Sequence, residues 1–88
     1  MYCKLCEREV NKLTVHHLIP KQKNGAKRPT IDICSPCHRQ IHAFFDNARL
    51  ARELNTVEKL QAEPQMKKFL AWVRKQKSDK RIKVHRRA

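Results

Sequence analysis

Apolar positions follow two rhythms along this chain, and the change between them divides it. The early rhythm is short. Leu13-Thr14-Val15-His16-His17-Leu18-Ile19 is rich in β-branched residues and alternates in part, and Pro20 stops it. Thr30-Ile31-Asp32-Ile33 reads as a second short strand. Between the two, residues 21–29 are polar and basic and hold the only glycine, Gly25, which predicts a loop. From Cys34 onward the period lengthens. Cys37, Ile41, Phe44 and Phe45 recur at i, i+4, i+7 and i+8, one face of a helix. Ser35 is an N-cap candidate for it, and Pro36 suits a first turn. Asn47–Leu54 is helix-like, with Leu50 and Leu54 in register. Asn55 followed by Glu58 resembles a cap with its reciprocal partner and predicts a new helix to about Ala62. Pro64 opens a last helix striped by Met66, Phe69, Leu70 and Val73, with Trp72 to one side and only partly buried. Two strands followed by helices predict an α+β fold.

The 88 residues suffice for one small domain, and a core of this size leans on a metal or on disulfides. No repeat and no linker interrupts the sequence. The expectation is a single domain over 1–78, with a core over about 1–45 and a helical extension over about 47–78. Residues 79–88 form a basic tail without helical period, and His85 within it reads as solvated.

Cysteines supply the staple. Cys3 and Cys6 form one C-x-x-C pair, Cys34 and Cys37 another, and together they use every cysteine in the chain. Four thiolates close a tetrahedral structural zinc site with no position left over. A disulfide pair or an iron–sulfur cluster is the alternative use. The first residues, Met1-Tyr2-Cys3-Lys4-Leu5-Cys6, carry no apolar stretch of a signal peptide, and no run approaches the about 20 apolar residues of a membrane helix. The expected setting is therefore cytoplasmic, with reduced thiols and no membrane partner.

Four of the five histidines remain for other work: His16 and His17 as a step on the first strand, His38 and His42 four apart on the first helix. Residues four apart stack one turn above the other, so both imidazoles can reach one ion. A second metal that does chemistry is the expectation.

Charge names the partner. Twenty-one Lys and Arg against eight Asp and Glu give +13, a self-repelling excess that suits a polyanion. Nucleic acid fits better than an anionic membrane, because the charge is not confined to one amphipathic helix. The candidate contacts are Lys21, Lys23, Lys27 and Arg28 in the loop, and Lys67, Lys68, Arg74 and Lys75 on the last helix. Spread in this way they suit phosphates more than base edges.

The segments Leu13-Thr14-Val15-His16-His17-Leu18-Ile19-Pro20 and Ile33-Cys34-Ser35-Pro36-Cys37-His38-Arg39-Gln40-Ile41-His42 resemble the HNH endonucleases, also called ββα-metal or His-Me finger nucleases. The resemblance covers roughly residues 1–45. It implies a small zinc-stabilised ββα-metal, treble-clef-like core with C-terminal helices. It further implies a metal-dependent DNA endonuclease in which His17 is the general base and His16, His38 and His42 hold one catalytic divalent ion. That ion would be Zn²⁺, Ni²⁺, Mn²⁺ or Mg²⁺. Pro29-Thr30 stands where the family usually carries a bracing Asn, so Thr30, or Asn24 from elsewhere in the loop, takes that part. Two rivals explain less. A zinc-stabilised nucleic-acid-binding module without cleavage needs no four clustered histidines. A protein–protein adaptor accounts for neither these nor the charge.

Overall fold

The computed structural model describes residues 1–20 and 29–76. The basic loop residues Lys21, Lys23, Lys27 and Arg28 and the tail from residue 77 on therefore lie outside the described residues. The architecture is α+β: β1 (Thr14–His17) and β2 (Thr30–Ile33) form an antiparallel pair, followed by α1 (Ser35–Phe44), α2 (Asn47–Glu53), α3 (Val57–Ala62) and α4 (Pro64–Val73).

Before the strands, residues 1–10 fold into a knuckle closed by a bridge between Tyr2 and Glu9. Cys3 N–H donates to the Arg8 carbonyl at 3.0 Å, and Glu7 N–H donates to the Cys3 carbonyl at 2.9 Å. The turn forces Glu7 into the left-handed region at φ 64°, a conformation without help from a glycine. An L-residue held there costs about 1–2 kcal/mol, which the surrounding contacts must offset. Lys4 N–H reaches the Asp32 carbonyl at 3.1 Å and ties the knuckle to β2.

Register decides which histidine faces inward. Thr14 pairs with Ile33 and His16 with Ile31, whereas Val15 pairs with Asp32 and His17 with Thr30. Side chains alternate along a strand, so Thr14, His16, Ile31 and Ile33 share the inner face. Val15, at 54% exposure, marks the outer one. The ladder stays regular to His17, the last residue of β1.

Each helix start has a physical reason. Cys34 is the N-cap of α1 and makes no side-chain cap, because its thiol faces the other cysteines. Ser35, the expected cap, is thereby displaced into the first turn beside Pro36. Asp46 caps α2 by accepting from Arg49 N–H at 2.8 Å. Thr56 rather than Asn55 caps α3, accepting from Lys59 N–H at 3.1 Å. Asn55 is occupied one turn back, where its amide donates to the Ala51 carbonyl at 3.0 Å and closes off α2. Glu63 caps α4 by accepting from Met66 N–H at 3.0 Å, and its carboxylate also pairs with Arg49.

One core joins these parts. Met66, Phe69, Leu70 and Val73 of α4 are all buried, as the stripe predicts, and meet Leu5, Ile33, Ile41, Leu50 and Leu60. α1 is the hub, packed against β1 and against α4. Trp72 stays 38% exposed beside Phe69, in keeping with its place off the stripe.

Candidate metal centres

Two ligand clusters grow from this scaffold, each with two residues from α1 or its cap. The knuckle delivers Cys3 and Cys6 to Cys34 and Cys37, and all four thiols are buried and free. Their sulfurs lie within 4.8 Å of one another, and Cys6 Sγ is 3.8 Å from Cys34 Sγ. A tetrahedron with Zn–S bonds of about 2.3 Å has an edge of about 3.8 Å. A disulfide needs about 2.05 Å between sulfurs. The donor set therefore fits zinc.

Protonation tells the same story. Four buried thiols cannot all ionise together without a cation. Hydrogen bonds from Cys34 and Cys37 hold Cys3 down at about 6. Those from Cys3, Cys34 and Cys37 hold Cys6 lower still. Cys34 and Cys37 are pushed up, Cys34 chiefly by its bond to Cys3 and Cys37 chiefly by its bonds to Cys3 and Cys34. A divalent cation removes this conflict by letting every thiolate form at once.

Arg8 completes the surroundings. Its Nε donates to Cys6 Sγ at 3.3 Å and its Nη2 to Cys34 Sγ at 3.6 Å, while Nη1 reaches the Gln76 carbonyl at 3.5 Å. Burial works against its charge, but the bonds to Cys6 and Cys34 outweigh that, so its pKa is raised. A fixed cation beside four thiolates offsets part of the net negative charge of a zinc–tetrathiolate group. The spacing of the cysteines gave no sign of this residue.

The second cluster is His16 from β1 with His38 and His42 from α1. Their ring centroids are 5.2 Å (His16–His38), 5.5 Å (His16–His42) and 5.1 Å (His38–His42) apart, and one nitrogen of each lies within 4.8 Å of the others. Exposure rises across the group: His16 is buried at 1%, His38 is half-buried and His42 is exposed. His16 Nε2 is buried and has no hydrogen-bond partner. An orphaned buried nitrogen is costly unless something binds it, and a cation between three imidazoles would do so. The chemistry of the donor set fits a divalent transition ion with positions to spare.

Electrostatics favour the neutral form of all three rings. Burial first, then the neighbouring His38, His42 and His17, push His16 down to about 4. His38 is lowered by burial, then by His42 and His17, and His42 by partial burial. Neutral imidazole is the form that binds metal. Thr14 Oγ1 lies 2.8 Å from His38 Nδ1 and donates to the Ile33 carbonyl at 3.1 Å, contacts that no local sequence pattern marks. On the open side, His38, Arg39, His42 and Ala43 line a depression of about 430 Å³.

His17 stands apart from the trio, half-buried at the end of β1 opposite Thr30. Its charge is near enough to act on His16 and His38. Of the basic candidates, Lys67, Lys68, Arg74 and Lys75 are all exposed. Arg74 is also engaged: its guanidinium donates to the Cys6 carbonyl at 3.2 Å and the Leu5 carbonyl at 3.3 Å, and pairs with Glu7 at 3.4 Å.

One ββα unit thus carries a closed thiol cluster that fits zinc and, beside it, an open cluster of three imidazoles. Residues 2–44 match a family model described as HNH endonuclease. The uncharacterized protein YisB of Bacillus subtilis (strain 168) is 45% identical over 82 residues, which cover 93% of this chain and 82% of that protein. No solved structure matches. The chain belongs to the HNH endonuclease family, and that membership associates it with nucleic acid. Among the described residues no helix is long and apolar enough to cross a membrane.

Proposed function

We propose that this protein is a metal-dependent endonuclease that hydrolyses phosphodiester bonds of DNA. The observation that carries the reading is the His16–His38–His42 cluster, with its orphaned buried nitrogen and its one open side. Three protein ligands with room left over are what a catalytic ion requires, whereas the four buried cysteines serve a structural zinc. The catalytic ion is Zn²⁺, Ni²⁺, Mn²⁺ or Mg²⁺, and three imidazoles favour the transition metals among these. When bound, such an ion supplies positive charge to the scissile phosphate and the departing oxygen.

The chain's own residues do the rest. His17 accepts the proton of the attacking water, and the family resemblance gives this role to the second His of the pair. Thr30, opposite His17 in the ladder, takes the place of the family's bracing Asn. Lys67 and Lys68 on the exposed side of α4 and Lys75 just beyond its end hold phosphates, joined by Arg74 and by Lys21, Lys23, Lys27 and Arg28. Residues 1–78 act as one domain, the 79–88 tail adds basic charge, and the compartment is the cytoplasm.

Incubation of the zinc-loaded protein with supercoiled plasmid, with each divalent ion in turn, tests the reading. Nicked or linear product with at least one ion, abolished by chelator and by His17→Ala, is the expected result. Tight plasmid binding with no cleavage under any ion would reject it in favour of a binding module.

A further inference from the structure

The partners of His38 determine which of its ring nitrogens is open to an ion. A neutral imidazole carries one N–H and one lone pair, and only the lone pair binds a cation. Thr14 Oγ1 touches both His38 Nδ1, at 2.8 Å, and the Ile33 carbonyl oxygen, at 3.1 Å. The carbonyl can only accept, and a hydroxyl has one hydrogen to give. With that hydrogen on Ile33 O, the hydroxyl meets Nδ1 through a lone pair, so Nδ1 is the protonated nitrogen. The relay then runs from His38 Nδ1–H to Thr14 Oγ1 and from Thr14 O–H to Ile33 O, with every group satisfied. His38 Nε2 keeps its lone pair. The opposite tautomer takes the hydroxyl hydrogen away from Ile33 and protonates Nε2, leaving that nitrogen no lone pair for a cation.

Placement makes the relay firm. Thr14 and His16 lie two apart on the inner face of β1, so one strand supplies a candidate ligand and the group that orients another. Thr14 faces Ile33 in the ladder, which puts the accepting carbonyl beside the hydroxyl. A hydroxyl also orients the ring without adding a negative charge. That suits a site whose substrate is itself an anion, where an orienting carboxylate would repel the phosphate.

We propose that Thr14 is a positioning residue of the three-histidine site: it fixes His38 as the Nδ1–H tautomer and presents Nε2 to the divalent ion. The inference rests on the metal reading above.

The test compares zinc-loaded wild type, Thr14→Val and Thr14→Ser. ¹⁵N NMR before any further metal is added reads the His38 tautomer, and calorimetric titration with Ni²⁺ reads the site. Wild type and Thr14→Ser should show His38 protonated at Nδ1 and bind one Ni²⁺. Thr14→Val should show mixed tautomers and bind Ni²⁺ about 10–100-fold more weakly, the usual effect of losing an outer-shell partner. Zinc should stay at one per chain in all three. Unchanged tautomer and affinity in Thr14→Val would overturn the role. So would a Thr14→Ser protein as weak as Thr14→Val, since shape rather than the hydroxyl would then be responsible. If Thr14→Val loses its zinc, the wild-type spectrum still decides, because His38 protonated at Nε2 ends the proposal. A wild type with the Nδ1–H tautomer that takes up no Ni²⁺ would overturn the metal reading itself, and the Thr14 role with it.

Discussion

Cys37 and His38 are neighbours on α1, and a rotation of about 100° along the helix sends them to different clusters. Cys37, with Cys34, meets the knuckle, where all four thiols are at most 2% exposed and Arg8 covers two sulfurs. His38, with His42, meets β1, where exposure climbs from buried His16 to open His42. Both groups gather ligand atoms within the same distance. Enclosure separates them. A ligand set sealed on every side can only contribute folding free energy, while one left open on a flank can receive something else.

The largest effect should come from breaking the sealed side. Cys37→Ser removes a thiolate from a site of the kind that contributes about 10–16 kcal/mol in small zinc domains. A domain of this size has about 5–15 kcal/mol of stability in total. Elemental analysis should show the zinc lost, and the cooperative thermal transition should vanish with it. His42→Ala, on the open side, should keep both the zinc and the transition. Equal behaviour of the two variants would erase the contrast.

Next in size is the chemistry assigned to the open side. His17→Ala should cut plasmid cleavage by roughly 10²–10⁴-fold, the contribution of a positioned base. Its uptake of the second ion should be unchanged, since His17 lies outside the trio. His16→Ala should instead weaken that uptake, and excess metal should restore part of the activity. Wild-type cleavage by His17→Ala, or an exchange of the two phenotypes, would reverse the roles of these neighbours.

Acid should separate the clusters more gently. His16 sits at about 4 in the folded protein, below the ordinary value near 6.5, so the unfolded chain takes up this proton first. Its contribution to stability is whole above about 6.5 and drains away as pH falls toward 4. In protein lacking the second ion, NMR should find His16 titrating near 4. The melting temperature of His16→Asn should depend less on pH over that window than the wild type's. A His16 midpoint near 6.5 would contradict the burial argument.

The smallest effect concerns α4. Replacing Lys67 or Lys68 by Ala should lower the slope of log DNA affinity against log salt by about 0.9 each, one phosphate contact apiece, with the melting temperature unchanged. Arg74→Ala should lower the melting temperature as well, because that side chain also holds the knuckle. If the two lysine variants melt early, they are structural and the assignment of this face to phosphate is wrong.

Much of this was legible from periodicity and spacing. Strand and helix order, the α4 stripe, the cysteine quartet and the pairing of His38 with His42 all follow from local pattern, because C-x-x-C and His-x-x-x-His constrain partners close in sequence. Thr14 was not legible as a partner of His38, since the contact spans 24 residues and depends on strand register. Arg8 was hidden for the same reason, 26 residues from Cys34. The left-handed turn at Glu7 lacks the glycine that would have announced it. At residue 55 a local rule pointed one position early, because Asn55 served the helix behind it.

Arg74 grips the carbonyl of Cys6 across 68 residues of sequence, and that has a consequence in time. A ribosome delivers the four cysteines long before it delivers Arg74. Zinc can therefore be captured while α4 is still unmade, pinning the knuckle to the start of α1. The loop that Arg74 must later close then runs from about residue 37 instead of residue 6, roughly half the length. Each halving of a flexible loop lowers the closure cost by about 0.6 kcal/mol. Metal present during translation should thus ease the seating of the last helix, and a chain made in zinc-poor conditions must search for the same seat across the longer span.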